Sequence, residues 1–205
     1  RFRNVTGVQT CALPILVEKA RAEAAWEVER LFREGGASAL AFSTIVGADM
    51  NAALPHAEPG PTRLPEEGLV LVDCGGRLDN YCSDQTRTFW LGGKPSDRFR
   101  QTLDLVREAQ NRALRFIGPG VSIAETYGLA RKCFEEQGLA ERFTHGLGHG
   151  VGLETHEPPS LSSLSQDVFR PGMVVAVEPG LYWPDWGGVR WEYMVLVTED
   201  GCRIL

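Results

Sequence analysis

Three of the four histidines in this 205-residue sequence lie in one short stretch, HGLGHGVGLETHE, at His145, His149 and His156. Histidines four residues apart on a helix can bind one metal ion together. A helix is not expected here, because each of the interspersed glycines costs about 1 kcal/mol relative to alanine in a helix interior. In an extended chain, which rises about 3.3 Å per residue, His145 and His149 stand roughly 13 Å apart. The spacing therefore favours one metal ligand and separate roles for the other histidines.

Two aspartates stand where acids are unexpected, in apolar or aromatic runs typical of strands. Asp73 ends the run GLVLVD and Asp84 lies in YCSDQTRTFW, with the turn-rich letters GGRLDN between them. This pattern predicts a β-hairpin. A turn centred on Leu78 and Asp79 would set Asp73 directly opposite Asp84, with their Cβ atoms about 5 Å apart. Two like charges that face each other are unfavourable unless a cation lies between them, so we expect a cation at this pair.

Two glutamates also interrupt strand-like runs. Glu178 ends MVVAVE, where a buried acid needs a compensating partner. Glu192 lies in VRWEYMVLV, and strand alternation places it on the same face as Arg190; an exposed Arg–Glu pair is the alternative. Together the four acids and one histidine indicate a hard, mostly oxygen-lined site for two divalent metal ions, with manganese, cobalt, iron and zinc all compatible. For the histidines, ordinary polar residues in a glycine-rich loop remain the alternative.

Helices and strands must position these side chains. Helix formers at three- and four-residue spacing, N-cap residues and glycine stops predict three helices. The first runs from Leu16 to Arg33, the second from about Asp97 to Ile117 after an N-cap at Ser96, and the third from a capping box at Ser122 and Glu125 to a stop at Gly138. ALAFSTIV and the acid-bearing runs predict strands. This order of helices and strands indicates an α+β domain. A domain of two similar halves that face each other is compatible with the same order.

Composition excludes several classes of protein. The net charge of −6 and the lack of a basic face argue against nucleic acid as a partner. No apolar run approaches the roughly 20 residues of a membrane-spanning helix, and no secretory signal is visible, so we expect no membrane partner and a cytoplasmic protein. Five scattered cysteines without CxxC spacing are expected to be free thiols. The first fifteen residues, RFRNVTGVQTCALPI, show no steady period, and we expect this segment to be non-native.

Four blocks of the sequence resemble the signatures of one enzyme family. VDCGGRLDNYCSDQTRTF, HGLGHGVGLETHEPPSL, GMVVAVEPGLY and GVRWEYMVLVTEDG are similar to blocks of the pita-bread metallopeptidases, in particular the Xaa-Pro peptidases aminopeptidase P and prolidase. The likeness runs from about Leu16 to Leu205. It implies a pita-bread fold, with two pseudo-symmetric halves of antiparallel strands covered by helices, and an N-terminally truncated metallopeptidase catalytic domain over residues 16–205.

The resemblance also implies a role for each candidate residue. The implied metal ligands are Asp73, Asp84, His149, Glu178 and Glu192, with Asp84 and Glu192 bridging two divalent ions. The implied catalytic residues are Glu178 as base with His145 and His156, and the implied substrate-binding residues are His56, His145, His156 and Arg190. Of the compatible metals we expect manganese. The expected substrate is a peptide with proline in the second position, and a homodimer is left open.

Other functions remain open beside this one. The alternatives are a methionine aminopeptidase-like enzyme, a non-peptidase pita-bread hydrolase and a non-catalytic pita-bread binding module. Binding modules typically lose metal ligands, whereas all five are present here. Arg190 could bind the terminal carboxylate of a dipeptide, which would favour prolidase-type cleavage. The aromatic residues Tyr182, Trp183, Trp186 and Trp191 are expected to pack in the core rather than to form a wall for a proline ring. Tyr193 stands where the family usually has Asp, but we expect Glu192 to remain a ligand.

Overall fold

The computed structural model describes residues 19–54 and 57–205, and it has the predicted α+β architecture. Within that part of the chain there are three α-helices: α1 (Arg21–Glu34), α2 (Asp97–Phe116) and α3 (Ile123–Glu135). None of the helices in the described part is long and apolar enough to cross a membrane. The segment 1–15 and His56 lie outside the described residues.

The helix boundaries follow from local hydrogen bonding. The Ser96 hydroxyl accepts a hydrogen bond from the Phe99 N–H at 3.2 Å, and the Ser122 hydroxyl accepts one from the Glu125 N–H at 3.3 Å. These side chains satisfy N–H groups that have no partner within the helix, and the predicted N-caps of α2 and α3 are confirmed. The first helix begins at Arg21, since Ala20 is extended and pairs with Arg63 in a β-bridge. The predicted start at Leu16 lies outside the described residues.

The strands form four antiparallel sheets within the described residues. In chain order they are β1 (Ala39–Leu40), β2 (Ile45–Ala48), β3 (Gly68–Cys74), β4 (Gly76–Leu78), β5 (Tyr81–Cys82), β6 (Gln85–Leu91), β7 (Gly148–Gly150), β8 (Glu157–Leu161), β9 (Val174–Val177), β10 (Gly180–Trp183), β11 (Gly187–Arg190), β12 (Tyr193–Val197) and β13 (Cys202–Ile204). The sheet orders are β2-β3-β6, β1-β4-β5, β13-β12-β9-β7-β8 and β10-β11. The run ALAFSTIV, predicted as a strand, is divided between β1 and β2.

The predicted hairpin is present, but its register is one position from the expected one. The turn centres on Asp79 and Asn80, both with positive φ, a conformation that Asp and Asn tolerate better than most residues. Asp73 therefore pairs with Thr86 rather than with Asp84. The shift moves the partner by two residues, which preserves the face of the strand, and Asp84 stays on the side of Asp73.

The run VRWEYMVLV was predicted as one strand, and this is wrong. Arg190 ends β11, which among the described strands pairs only with β10, whereas Tyr193 begins β12 in the five-stranded sheet. Glu192 lies in the link between them, where its N–H donates to the Thr86 carbonyl at 3.2 Å. Strand alternation therefore does not relate Arg190 to Glu192; the change of sheet directs both side chains inward, where they are 3% and 1% exposed.

The core of the described residues has three hydrophobic clusters, and the two larger ones share strand β3. Along this strand Val70 and Val72 pack with α1, whereas Leu69 and Leu71 face the larger cluster that α2, α3 and the five-stranded sheet build. Such alternation is the normal period of a strand, and a strand buried on both faces can be apolar throughout. Asp73 continues the row of Leu69 and Leu71, so the acid points from a buried strand end into the interior between the sheets.

The described cysteines, Cys74, Cys82, Cys133 and Cys202, are free thiols. This confirms the prediction for these four residues, while Cys11 lies outside the described part of the chain.

Candidate metal centre

A cavity of about 910 Å³ opens between the strand ends that carry the predicted residues. Seven of these residues line it: Asp73, Asp84, His145, His149, His156, Glu178 and Arg190. Glu192 lies deeper, and its Oε2 accepts a hydrogen bond from the Thr86 hydroxyl at 2.8 Å. The substrate-binding role of His56 stays a prediction, because His56 lies outside the described residues.

The side chains of the cavity form two groups that could each hold a metal ion. Asp73, Asp84 and Glu192 each offer an oxygen, and these oxygens lie within 4.8 Å of one another. Asp84, His149 and His156 form the second group within the same limit. Asp84 belongs to both groups, which is the position that a bridging ligand would take between two ions.

Glu178 extends this arrangement through its contact with His149. His149 Nε2 lies 3.5 Å from Glu178 Oε1 and 3.6 Å from Asp84 Oδ2, while its Nδ1 lies 3.0 Å from the Gly150 carbonyl oxygen. Burial lowers the pKa of His149 and favours the neutral imidazole. Donation of Nδ1–H to a carbonyl leaves the Nε2 lone pair facing the acids, which is the usual arrangement of a metal-binding histidine. His156 packs its ring against that of His149 with centroids 4.0 Å apart, so it also lies close enough to be a ligand.

The electrostatics of the acids show what the site requires. Burial, reinforced by neighbouring carboxylates, raises the pKa of Asp84 and of Glu178 well above the ordinary value. Burial, with the Asp73 charge, raises the pKa of Glu192 to about 8. Asp73 Oδ1 and Glu192 Oε1 are buried and have no hydrogen-bond partner. Crowded, unsatisfied carboxylates of this kind fit hard divalent cations, which take oxygen ligands and offset the repulsion.

Arg190 is hydrogen-bonded to residues of this centre. Its guanidinium donates to Asp73 Oδ2 at 2.6 Å, to the Tyr182 hydroxyl at 2.9 Å and, through Nε, to the Thr86 hydroxyl at 3.0 Å. Although burial disfavours the charge, the surrounding Tyr182, Asp73 and Glu178 raise the pKa of Arg190. Each guanidinium nitrogen thus already faces a protein acceptor, and a substrate carboxylate at Arg190 would have to compete with these bonds.

His145 approaches the centre from the other side of Tyr182. Its Nε2 lies 2.8 Å from the Tyr182 hydroxyl and its Nδ1 lies 2.6 Å from the Gly146 carbonyl oxygen. Since the Tyr182 hydroxyl accepts from Arg190, its own proton can go to His145 Nε2. A chain of hydrogen bonds therefore joins His145, through Tyr182 and Arg190, to the acid Asp73.

The glycines of the histidine stretch have a packing role. A Cβ at Gly148 would lie 1.9 Å from the Ala176 carbonyl oxygen of β9, and one at Gly150 would lie 2.3 Å from the Pro158 carbonyl oxygen. Only glycine allows β7 to lie this close to its neighbours. Because these glycines have no side chains, the backbone of His149 lies between β8 and β9, and Glu178 directly follows β9.

Sequence reasoning missed two polar residues of the site and misjudged a third. Thr86 bonds both Glu192 and Arg190, and Thr88 exchanges hydrogen bonds with the Arg190 backbone at 3.0 and 3.1 Å. Their signal was the alternating QTRTF, which places two small hydroxyls on one strand face. Tyr182 was expected in the core; it is buried, but its hydroxyl joins Arg190 and His145. Trp183, Trp186 and Trp191 do not line the cavity. Trp183 and Trp186 pack edge to face with ring centroids 5.4 Å apart.

Comparison with known proteins gives relatives along nearly the whole chain. Over 187 residues the chain is 41% identical to the Xaa-Pro dipeptidase of Pyrococcus furiosus, a match that covers 91% of this chain and 53% of the relative. The chain thus spans about half the length of the curated relatives it matches. The solved structure of the prolidase from Pyrococcus furiosus is similar with a TM-score of 0.94 and 38% identity, over 98% of this chain and 60% of that chain.

A second solved structure, the X-Pro aminopeptidase from Thermotoga maritima, has a TM-score of 0.93 and 34% identity over 98% of this chain and 57% of that chain. These likenesses confirm the predicted pita-bread fold. The family model of metallopeptidase family M24 matches residues 8–199, and since the match begins inside the segment 1–15, the boundary at residue 15 stays a prediction. The resemblance seen in the four blocks is confirmed: the chain belongs to metallopeptidase family M24.

Proposed function

We propose that residues 16–205 form the catalytic domain of a metal-dependent peptidase that hydrolyses Xaa-Pro peptide bonds, in the manner of aminopeptidase P or prolidase. The observation that carries the proposal is the pair of ligand groups that share Asp84. The relatives support it, because a curated relative at 41% identity is a Xaa-Pro dipeptidase and a similar solved structure is an X-Pro aminopeptidase. We also propose a cytoplasmic location for this enzyme.

Two divalent ions, manganese by preference, would be held by Asp73, Asp84, His149, Glu178 and Glu192. Such ions would supply Lewis acidity and would lower the pKa of a bound water molecule. Oxygen-rich ligands with one imidazole suit manganese, and they also suit cobalt, iron or zinc. Arg190 fixes one Asp73 oxygen and Thr86 fixes one Glu192 oxygen, which leaves the partnerless oxygens Asp73 Oδ1 and Glu192 Oε1 for the ions.

The residues of this chain have distinct tasks in the proposed reaction. The Glu178 side chain keeps 20% of its surface exposed at the cavity, so it can take a proton from the attacking water and deliver it to the departing nitrogen. His156 is exposed on the cavity wall and can donate an N–H to the carbonyl oxygen as that atom gains charge. His145, held by Tyr182, borders the same cavity and can contact the peptide.

The test is hydrolysis of three peptides by the chain after chelation and after addition of Mn²⁺. A Xaa-Pro dipeptide and a Xaa-Pro-Yaa tripeptide should be cleaved only with Mn²⁺, and a Met-initiated peptide without proline serves as the control. Cleavage of the control alone would favour methionine aminopeptidase-like activity. If two metal ions bind and none of the peptides is cleaved, the chain is a binding module or a non-peptidase hydrolase and the proposal is wrong.

A further inference from the structure

Gln110 is a polar residue at a position that the helix pattern reserves for the core. It lies on α2 between Val106 and Ala113, which are both fully buried, and it is itself 1% exposed. Its side-chain Nε2 donates to the Val177 carbonyl oxygen at 2.9 Å and to the Trp191 carbonyl oxygen at 3.1 Å. Both neighbours are acceptors, so the atom between them must be the amide nitrogen, and the orientation of the amide is fixed by its surroundings.

These two carbonyl groups belong to residues that directly precede predicted metal ligands. Val177 directly precedes Glu178 at the end of β9, and Trp191 directly precedes Glu192 in the link between β11 and β12. The two glutamates lie in different links between strands, and only Glu192 belongs to one of the two groups of ligand atoms. Through one amide, Gln110 connects the peptide groups that lead into both.

Each of these peptide groups is also held at its other end. The Glu178 N–H donates to the Leu147 carbonyl at 2.8 Å, and the Glu192 N–H donates to the Thr86 carbonyl at 3.2 Å. A peptide group is planar, so a hydrogen bond at its oxygen and another at its N–H fix its orientation. The direction in which the Glu178 and Glu192 side chains leave the backbone is thereby fixed relative to each other.

We infer that Gln110 is a positioning residue of the proposed metal centre: it holds the Glu178 and Glu192 backbones in the separation and orientation that two ions need. This inference rests on the proposed function. Groups that orient metal ligands typically alter metal affinity about 10- to 100-fold when they are removed. A residue that only satisfied its own burial would affect folding and leave the metal untouched, and this difference can be measured.

The test uses Gln110→Met, which keeps the length and unbranched shape but cannot donate, and Val106→Ala as a control on the same buried face of α2. Metal-free wild type and variants are titrated with Co²⁺, and the visible absorption of the bound ion reports its coordination. Circular dichroism and urea unfolding report the fold. We expect Gln110→Met to bind Co²⁺ about 10- to 100-fold more weakly, with altered absorption bands. Val106→Ala should lose stability but keep the wild-type Co²⁺ affinity and spectrum.

The result that overturns the inference is a folded Gln110→Met with wild-type Co²⁺ affinity and spectrum. If that variant does not fold, Gln110→Asn takes its place: its amide is retracted by one methylene and cannot reach both carbonyls, so weaker Co²⁺ binding supports the inference and unchanged binding overturns it. A wild type that binds fewer than two Co²⁺ ions contradicts the proposed function itself, which separates the two failures.

Discussion

Asp84 is the residue on which the two groups of ligand atoms meet. It lies in the break between β5 and β6, its side chain is buried, and burial and three neighbouring acids raise its pKa. A carboxylate in such a place is costly unless a cation compensates it. Residue types and strand ends were enough to select Asp84 from the sequence, because an acid inside an aromatic run breaks the strand pattern. The pairing of Asp73 with Thr86 could not be predicted, since it depends on which residues of GGRLDN form the turn.

We predict that Asp84→Asn loses both metal and peptidase activity. The amide has the size of the carboxylate but lacks the charge that two cations need. Metal affinity should therefore fall by more than the factor of about 10 to 100 that is typical when a residue in contact with a metal ligand is changed. Metal content by elemental analysis and hydrolysis of a Xaa-Pro peptide are the measurements. Asp79→Asn, in the exposed turn of the same hairpin, is the matched control and should keep both; full metal occupancy in Asp84→Asn would refute the bridging role.

The crowded acids also predict how pH affects the metal-free chain. The raised pKa values of Asp84, Glu178 and Glu192 mean that the folded state holds protons that the unfolded state releases. Their contribution to stability is therefore complete below the ordinary carboxyl pKa and is lost as pH rises, up to about 8 for Glu192. Each unit of pKa shift corresponds to about 1.4 kcal/mol, so the free energy of unfolding should fall markedly with pH.

Urea unfolding of the chelated chain at about pH 5 and about pH 9 measures this fall. The Mn²⁺-loaded chain is the control, and it should lose much less stability over the same interval because cations compensate the carboxylates. A metal-free chain whose stability rises between these two values would show that the acids are not crowded in the way described.

Among the elements, the short strand β7 is closely packed on both sides. It carries His149 between β8 and β9, and Gly148 and Gly150 are required by neighbouring carbonyl oxygens rather than by turns. The glycines that argue against a helix in this stretch are the residues that let the neighbouring backbone approach β7. The N-caps Ser96 and Ser122 were also predictable, because capping is local. The division of VRWEYMVLV between two sheets could not be predicted, since the residues of one apolar run do not show where the chain leaves one sheet and joins another.

Two glycine-to-alanine substitutions should act in opposite directions. At Gly148 the new Cβ would lie 1.9 Å from the Ala176 carbonyl oxygen, so β7 must move and carry His149 with it. At Gly128, inside α3, a Cβ meets nothing within 4 Å. We expect Gly128→Ala to raise the free energy of unfolding by about 1 kcal/mol, and Gly148→Ala to lower it by about 3 kcal/mol or more and to weaken metal binding. Thermal unfolding with and without Mn²⁺ is the measurement, and a Gly148→Ala protein with wild-type stability would contradict the packing argument.

In the whole molecule, the site lies where two separately packed parts meet. Asp73 comes from the strand that α1 covers, whereas His149 and Glu178 come from the five-stranded sheet with α2 and α3 behind it. The sequence could identify the acids and the histidine one by one and, by resemblance, the fold that joins them. It could not reveal the roles of Thr86, Tyr182 or Gln110, because these roles arise from hydrogen bonds between different elements of the fold. Thr86 and Glu192 are 106 positions apart, Gln110 and Val177 are 67 apart, and His145 and Tyr182 are 37 apart.

Two metal ions are proposed to share the acids of this cavity. Anomalous diffraction from crystals of the chain soaked in Mn²⁺ would locate them. We predict two Mn²⁺ peaks on either side of Asp84, one against Asp73 and Glu192 and one against His149 and Glu178. A single peak, or peaks that lie away from Asp84, would show that Asp84 does not lie between two ions.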